Sequence, residues 1–485
     1  MTASNRAHPR RPGALAIVCV TASLLTASHV LAQQPAAVRS DSVRYASAIA
    51  RLDSFIAREV ADKRLPGLSI ALVDDQRVVW ARGFGVARPA HDGAPAVPAT
   101  AGTVHRVGSV SKLFTDIAVM QLVERGELDL DAPVSRYLPD FAPTGERGGP
   151  ARITLRQLMS HRSGLVREPP AGHYFDSSGT TLAQTVRSLN GTALVYAPGT
   201  RTKYSNAAIA VVGHVLERTR GEPFAQYLSR AVLRPMGLTE SAFVPEPALA
   251  DRLAQATMWN YEEREWPAPT FELGMAPAGS MYTTVEDLAR FLGVLFADGR
   301  GPAGPVLRPE TLRAMWTPQF AAPGARTGFG IGFALSELDG RRRVAHGGAI
   351  YGFATELEAL PDEKLGVVVV ATLDGANAVT ERIAETALRL MLAAREGGEL
   401  PALPATRPLA PGRAVTLAGR YGAGERAVDL EEHGDRLFVM PARGGFRAEL
   451  RAAGKSLEVV APTTYRFRAS SSATLLACSS PAPPR

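Results

Sequence analysis

Ser109 and Lys112 stand one helical turn apart in Gly108-Ser109-Val110-Ser111-Lys112, at the head of an apolar run from Leu113 to Val123. Residues i and i+3 share a helix face, so the amine can reach the hydroxyl. A serine hydroxyl attacks a carbonyl well only when a neighbouring base takes its proton. A lysine can be that base if burial or nearby positive charge strips its ammonium near neutrality. Composition singles this lysine out. Of 54 basic residues, five are lysine (Lys63, Lys112, Lys203, Lys364 and Lys455) and 49 are arginine. Arginine stays charged in a protein, whereas lysine can lose its proton. Ser-x-x-Lys is short enough to recur by chance as a capped helix with a surface lysine, so the chemistry needs partners elsewhere in the chain.

Two clusters qualify. Tyr204-Ser205-Asn206 puts a phenol and an amide two residues apart before a helix. Alternate residues of an extended segment point the same way, so both can face one cleft; the plainer reading is a helix cap with a packed tyrosine. His346-Gly347-Gly348-Ala349 follows a strand-like run. Glycines in a strand often mark the close approach of a ligand or another backbone; otherwise they make a bulge. The remaining histidines read as packing: His105 before the serine, His161 in a loop, and His214 on an apolar helix face. Trp266 and Tyr351 either touch substrate or wall a cleft.

The elements that must position these groups come in three blocks. Tyr45 to Lys63 has the apolar spacing of an amphipathic helix. Leu68–Val73 and Val78–Val86 are strand runs across Asp74-Asp75-Gln76-Arg77, a hairpin. The middle third is mostly helical, with an irregular loop from Arg167 to Thr180 of the kind that walls a site. Trp259 to Phe271 reads as a lid or cleft wall, and Thr284 with Asp287 as a helix cap. A second hairpin, Phe353–Leu360 and Leu365–Leu373, precedes a closing helix from Thr380 to Arg395. Strands and a helix at both ends predict an α/β (α+β) domain: one antiparallel sheet built from both termini, flanked by helices, with a mostly helical insertion leaving a cleft. That domain spans 43–396. After a Pro/Ala/Gly linker at 397–412, short strands with glycine turns predict a small all-β module at 413–470, a barrel or sandwich, then a loose tail at 471–485.

The start is of another kind. Arg6, Arg10 and Arg11 precede an apolar run, Ala14 to Leu25, and Val30-Leu31-Ala32 follows with a small residue before the cut. This is the pattern of a removed signal at 1–32, followed by a linker at 33–42. The apolar run is short for a membrane span, so the chain is expected to be exported, periplasmic or secreted, without a transmembrane anchor after cleavage. Three positive charges leave with the signal, taking the net charge from +7 to +4, and nucleic acid is not an expected partner. Only Cys478 would remain, so no internal disulfide is expected. No zinc-type spacing and no phosphate-binding glycine loop occurs, and no cofactor or metal is expected.

Taken together, Ser-x-x-Lys, Tyr-x-Asn and His-Gly-Gly in this order resemble the penicillin-recognising serine hydrolases, in the branch of class C β-lactamases, serine D-alanyl-D-alanine carboxypeptidases and related esterases and D-aminopeptidases. The likeness runs from about Leu65 to Arg395 and takes in Gly126 to Val134, Ile153 to Leu165, Pro198 to Asn206, Ala278-Gly279-Ser280 and Gly352-Phe353. The resemblance implies that Ser109 is acylated, that Lys112 shares its proton, and that Tyr204 serves as general base or acid with a phenol pKa lowered by the amine. It implies that Asn206 binds a substrate amide, and that His346 to Ala349 line the opposite wall. The backbone N–H groups of Ser109 and Ala349 would then form the oxyanion hole. One departure matters. His346 and Gly347 stand where lysine and threonine hold a substrate carboxylate in the β-lactamases. Amides, D-amino-acid peptides (cell-wall peptides among them) and small esters are therefore expected over β-lactams. The competing reading is an inactive descendant that binds or senses cell-wall fragments; loss of Lys112, Tyr204 or the glycines would mark it, and all are present.

Overall fold

The computed structural model describes residues 36–467, apart from 146–147, 150, 260–263, 404–405, 423–426, 441–447, 454–455 and 461–465. The segment read as a signal, both cysteines and the stretch read as a loose tail lie outside the described residues. Residues 36–40 begin a helix, and everything below concerns the unit from Asp41 onward.

The two ends of the main domain do meet in one sheet. Its eight strands run, edge to edge, Gly328–Phe329, Ala334–Leu338, Arg341–Ile350, Phe353–Leu360, Leu365–Ala371, Gly67–Asp74, Arg77–Arg88 and Val97–Pro98. The join is antiparallel, from Leu68 opposite Ala371 to Asp74 opposite Leu365. Both central strands are continuous apolar runs because both faces are covered, and the period of two sorts them. Leu68, Ile70 and Leu72 share one core with Val367 and Val369; Ala71 and Val73 share the other with Val368 and Val370. The first core is closed by the helices Ala36–Asp62 and Asn377–Glu396, through Tyr45, Leu52, Phe55, Ile56, Ile383 and Leu388. The second holds the helical insertion.

Several boundaries differ from the sequence reading. The first helix starts at Ala36, so most of the segment read as a linker at 33–42 is helical. The strand preceding His346 does not stop at a bulge but runs from Arg341 through the glycines to Ile350. Trp259 lies in a two-stranded hairpin, Thr257–Trp259 with Glu265–Pro267. Thr284 does cap the helix Val285–Phe296 by accepting from Asp287 N, yet the Asp287 carboxylate turns instead to Ser241 and the Glu240 N–H. The C-terminal module is neither barrel nor sandwich among the described residues. It is one six-stranded meander in sequential order with a short helix, Arg413–Leu417, packed on it. Arg451, almost wholly buried in that sheet, ties it to the first helix through both carboxylate oxygens of Asp62, at 2.6 and 2.5 Å.

Candidate active site

A single 3-10 turn, Gly108–Val110, leads straight into the helix Ser111–Glu124 and carries the serine. Three bonds fix this start, two of them to the segment 277–281. Ser111 Oγ donates to Gly108 O and accepts from Met281 N, and Thr115 Oγ1 donates to Pro277 O. The helix is buried through Leu122, Lys112 included. Its Nζ lies 2.9 Å from Ser109 Oγ and donates to Ala278 O at 2.6 Å. Neither partner carries a charge. Burial brings the amine down to about 7; Glu168 and Asp116 pull it back up and Arg167 presses it further down. Asp116, one turn further along, is fully buried without a donor to either oxygen, and burial pushes its carboxyl well up.

The strand Arg341–Ile350 forms the opposite wall. Its neighbour Ala334–Leu338 pairs only with residues 341–345, so the edge of 346–350 is left uncovered on that side. The serine turn packs there. A Cβ on Gly348 would lie 2.1 Å from Val107 O, and one on Gly108 (φ +51°) 2.7 Å from Ala349 N. The glycines are thus required by the approach of two backbones, the contact that brings Ser109 beside Ala349.

Tyr204 completes the cleft. Its ring centroid is 4.9 Å from Lys112 Nζ, and its hydroxyl is buried without a hydrogen-bond partner. His161 packs on the ring at 4.2 Å, and its Nδ1 accepts from Ser205 N at 3.3 Å. Ser205 caps the helix Asn206–Arg220 through Ala208 N. Cap and candidate site are therefore the same three residues, and His161 holds them in place as packing.

Comparison with known proteins can now be set beside this geometry. A profile of the Beta-lactamase family matches residues 52–390. The chain belongs to the Beta-lactamase family. Esterase EstB of Burkholderia gladioli is 31% identical over 333 residues, 61% of this chain and 82% of that one. The D-alanyl-D-alanine-carboxypeptidase/endopeptidase AmpH of Escherichia coli K12 is 28% identical over 319 residues, 63% of this chain and 79% of the other. The octameric penicillin-binding protein homologue from Pyrococcus abyssi superposes with a TM-score of 0.63 at 24% identity, over 87% of this chain and 94% of its own, a likeness of fold. This member of the Beta-lactamase family is a serine hydrolase.

Within the Beta-lactamase-family cleft, two expectations change. The phenol of Tyr204 is expected from the resemblance to be acidified by the amine; burial instead raises it. An amine that is itself losing its charge at neutral pH gives little support to a phenolate, so the Tyr204 phenol keeps its proton. Asn206 is fully buried with its Nδ2 already donating to Glu168 Oε1 at 2.7 Å, leaving Oδ1 as the end without a partner. His346 is a neutral ring, brought down to about 4 by burial and by Lys112. Its Nδ1–H donates to Gly347 O at 2.6 Å, so the buried Nε2 is left as an acceptor. A Cβ at Gly347 would lie 3.0 Å from Glu356 Oε2, which leaves little room for a threonine.

Sequence reasoning missed Arg167, Glu168 and Tyr174 as individuals, though it marked their loop as a wall. The Arg167 guanidinium lies 5.2 Å from the Tyr204 ring centroid. The Tyr174 hydroxyl donates to Ala349 O at 3.4 Å, and its ring starts an aromatic wall that continues through Tyr351 to Phe271. The available signal was Glu168 standing directly before Pro169-Pro170, a charge fixed on a stiff segment. His105 is buried against Phe353 and Ser69, and His214 pairs with Glu217 on its own helix, so both are packing. Among the described residues no group of side chains could hold a metal ion, and no helix is long and apolar enough to cross a membrane.

Proposed function

We propose that the chain is an exported hydrolase that cleaves small amides, peptides or esters through an acyl-enzyme on Ser109. One observation carries this: a buried amine near its point of neutrality, 2.9 Å from a serine hydroxyl, with no carboxylate bonded to it. The neutral amine of Lys112 accepts the Ser109 proton as Oγ bonds to the substrate carbonyl carbon. The backbone N–H groups of Ser109 and Ala349 receive the oxyanion; each such donor contributes about 3 kcal/mol in acyl transfer. The Tyr204 phenol gives its proton to the leaving amine or alkoxide and regains one from the Lys112 ammonium. Ser109 is then an ester. Water attacks it, losing its proton back along the same route, and the acid departs with the serine restored. With no side-chain cation at His346 or Gly347, a β-lactam carboxylate has no fixed counter-charge on that wall, which supports esters and amides over β-lactams. Export rests on the N-terminal pattern of Arg6, Arg10 and Arg11 before the apolar run Ala14 to Leu25, with a cut after Ala32.

A fluorophosphonate probe is expected to label the protein at Ser109, and Ser109→Ala to lose both labelling and hydrolysis of a p-nitrophenyl ester. Labelling that persists in Ser109→Ala overturns the proposal. In a panel of nitrocefin, p-nitrophenyl acetate and a D-Ala-D-Ala peptide, nitrocefin is expected to turn over slowest.

A further inference from the structure

The Ala349 N–H sits on a strand edge that has no neighbouring strand among the described residues. Ile350 and Phe353 close a two-residue turn at Tyr351-Gly352, and the closing pair of such a hairpin exchanges its hydrogen bonds. Alternation along the ladder then turns both polar groups of Ala349 to the uncovered edge. The contacts agree. A Cβ on Gly108 would lie 2.7 Å from both Ala349 N and Ala349 O, and the Tyr174 hydroxyl donates to that same oxygen. A donor placed there lacks the partner strand that would otherwise fix its direction.

The brace comes from the other face of the sheet. Asn377 opens the helix Asn377–Glu396, which closes the core away from the serine, and its Nδ2 donates to Gly348 O at 2.8 Å. Gly348 O and the Ala349 N–H belong to one planar trans peptide and point in opposite directions. Holding the carbonyl back therefore aims the N–H forward, at the serine turn. A bond accepted by the carbonyl also polarises the N–H across the same peptide. Asparagine favours the cap of a helix, yet Ala376 occupies the cap here and the Asn377 amide leaves its own helix for the strand. Thr380 Oγ1 donates to the Asn377 backbone carbonyl at 2.9 Å and steadies this first turn. The Asn377 Oδ1 is buried without a partner. Leaving an acceptor dry costs more than an ordinary hydrogen bond returns, so stability alone does not account for this side chain.

We propose that Asn377 is a positioning residue for acyl transfer: through the Gly348 carbonyl it holds and polarises the Ala349 N–H that receives the oxyanion. This rests on acylation of Ser109. Asn377 acts on the transition state from the far face of the sheet and touches no substrate.

The test compares the full-length protein with Asn377→Leu, which keeps the size and removes the amide, and with Asn377→Asp, which keeps the shape and removes the N–H donors. End-point titration with fluorophosphonate counts the folded sites in each. Per titrated site, kcat on p-nitrophenyl acetate is expected to fall about tenfold in both variants, with KM within about twofold. That is a share of the roughly 10²–10³-fold that loss of an oxyanion donor itself costs. Phenylboronic acid, which adds to a serine oxygen as a tetrahedral anion, should lose affinity by the same factor. A kcat within twofold of wild type in both variants overturns the proposal. So does a fall in kcat with boronate affinity unchanged, since a merely structural role would leave the tetrahedral adduct as tightly held at each titrated site. Hydrolysis that survives Ser109→Ala is a separate failure, and removes the acyl-enzyme reading instead.

Discussion

Lys112 in the cleft and Arg343 behind the sheet are both cations withdrawn from water, and their surroundings differ in kind. Arg343 donates to Ser336 Oγ at 2.8 Å and pairs with Glu358 at 3.2 Å and Glu385 at 2.9 Å. Lys112 bonds only to a hydroxyl and a carbonyl. Burial presses on charge in both places, but a guanidinium cannot yield its proton. Behind the sheet the carboxyls yield instead, by taking protons up. Burial raises Glu358 to about 8, with Arg343 opposing, and raises Glu381 to about 7. In the cleft the lysine yields by giving its proton away. The same desolvation that produces a structural cluster on one side thus produces a base on the other, and the choice of cation decides which.

The largest expected effect comes from exchanging the cations. Lys112→Arg installs a permanent charge where the base should stand. Ester kcat/KM should fall about 10³-fold, as for loss of a general base. Retained activity in Lys112→Arg breaks the comparison outright. Arg343→Met comes next and should act on stability alone. Removing one partner of a buried ion cluster costs about 3 kcal/mol. Urea unfolding should show that loss while ester kcat/KM stays within about twofold; an unchanged midpoint would mean that the carboxyls need no cation.

The smallest effects are in pH dependence, and they have opposite signs. Lys112 is lowered from its ordinary value of 10.5 to about 7 in the folded state. Its stabilising share is present above 10.5 and is lost as pH falls towards 7, because the unfolded chain binds the extra proton. Glu358 is raised from 4.5 to about 8, so its share is present at acid pH and lost as pH rises through 8. Melting temperature against pH should therefore decline less between 5 and 8 in Glu358→Gln, and rise less above 7 in Lys112→Met. Activity should follow Lys112 alone, with kcat/KM rising through about pH 7. A flat profile across that range would separate the serine from the amine.

Much of the fold was legible because its central strands are dictated by local pattern. Leu68 to Val73 and Leu365 to Ala371 are too apolar for any place but the middle of a sheet covered on both faces. The hairpin turns were legible for a similar reason, since Asp75 and Lys364 take left-handed conformations in short polar breaks between such runs. The C-terminal module was legible as strands but not as an architecture. Whether six short strands close or remain a single meander depends on how many side chains fill the interior, and pattern alone does not report that. In the site, Ser109 and Lys112 were legible because helix geometry makes i and i+3 neighbours whatever surrounds them. Glu168 was not, since it is tied to Asn206, 38 residues away in the chain.

The sequence by itself determined the helical turn that joins a hydroxyl to an amine, the strands that frame it, and the use of a lysine in a chain built on arginine. Tertiary structure alone decided that this lysine is dry and meets no bonded carboxylate, that the Tyr204 phenol keeps its proton, and that two glycines let the serine turn lie against the strand at Ala349. Proton affinity explains the division: it is set by solvent removed and by charges brought close from distant parts of the chain, whereas spacing along a helix is set by bonds the backbone makes with itself.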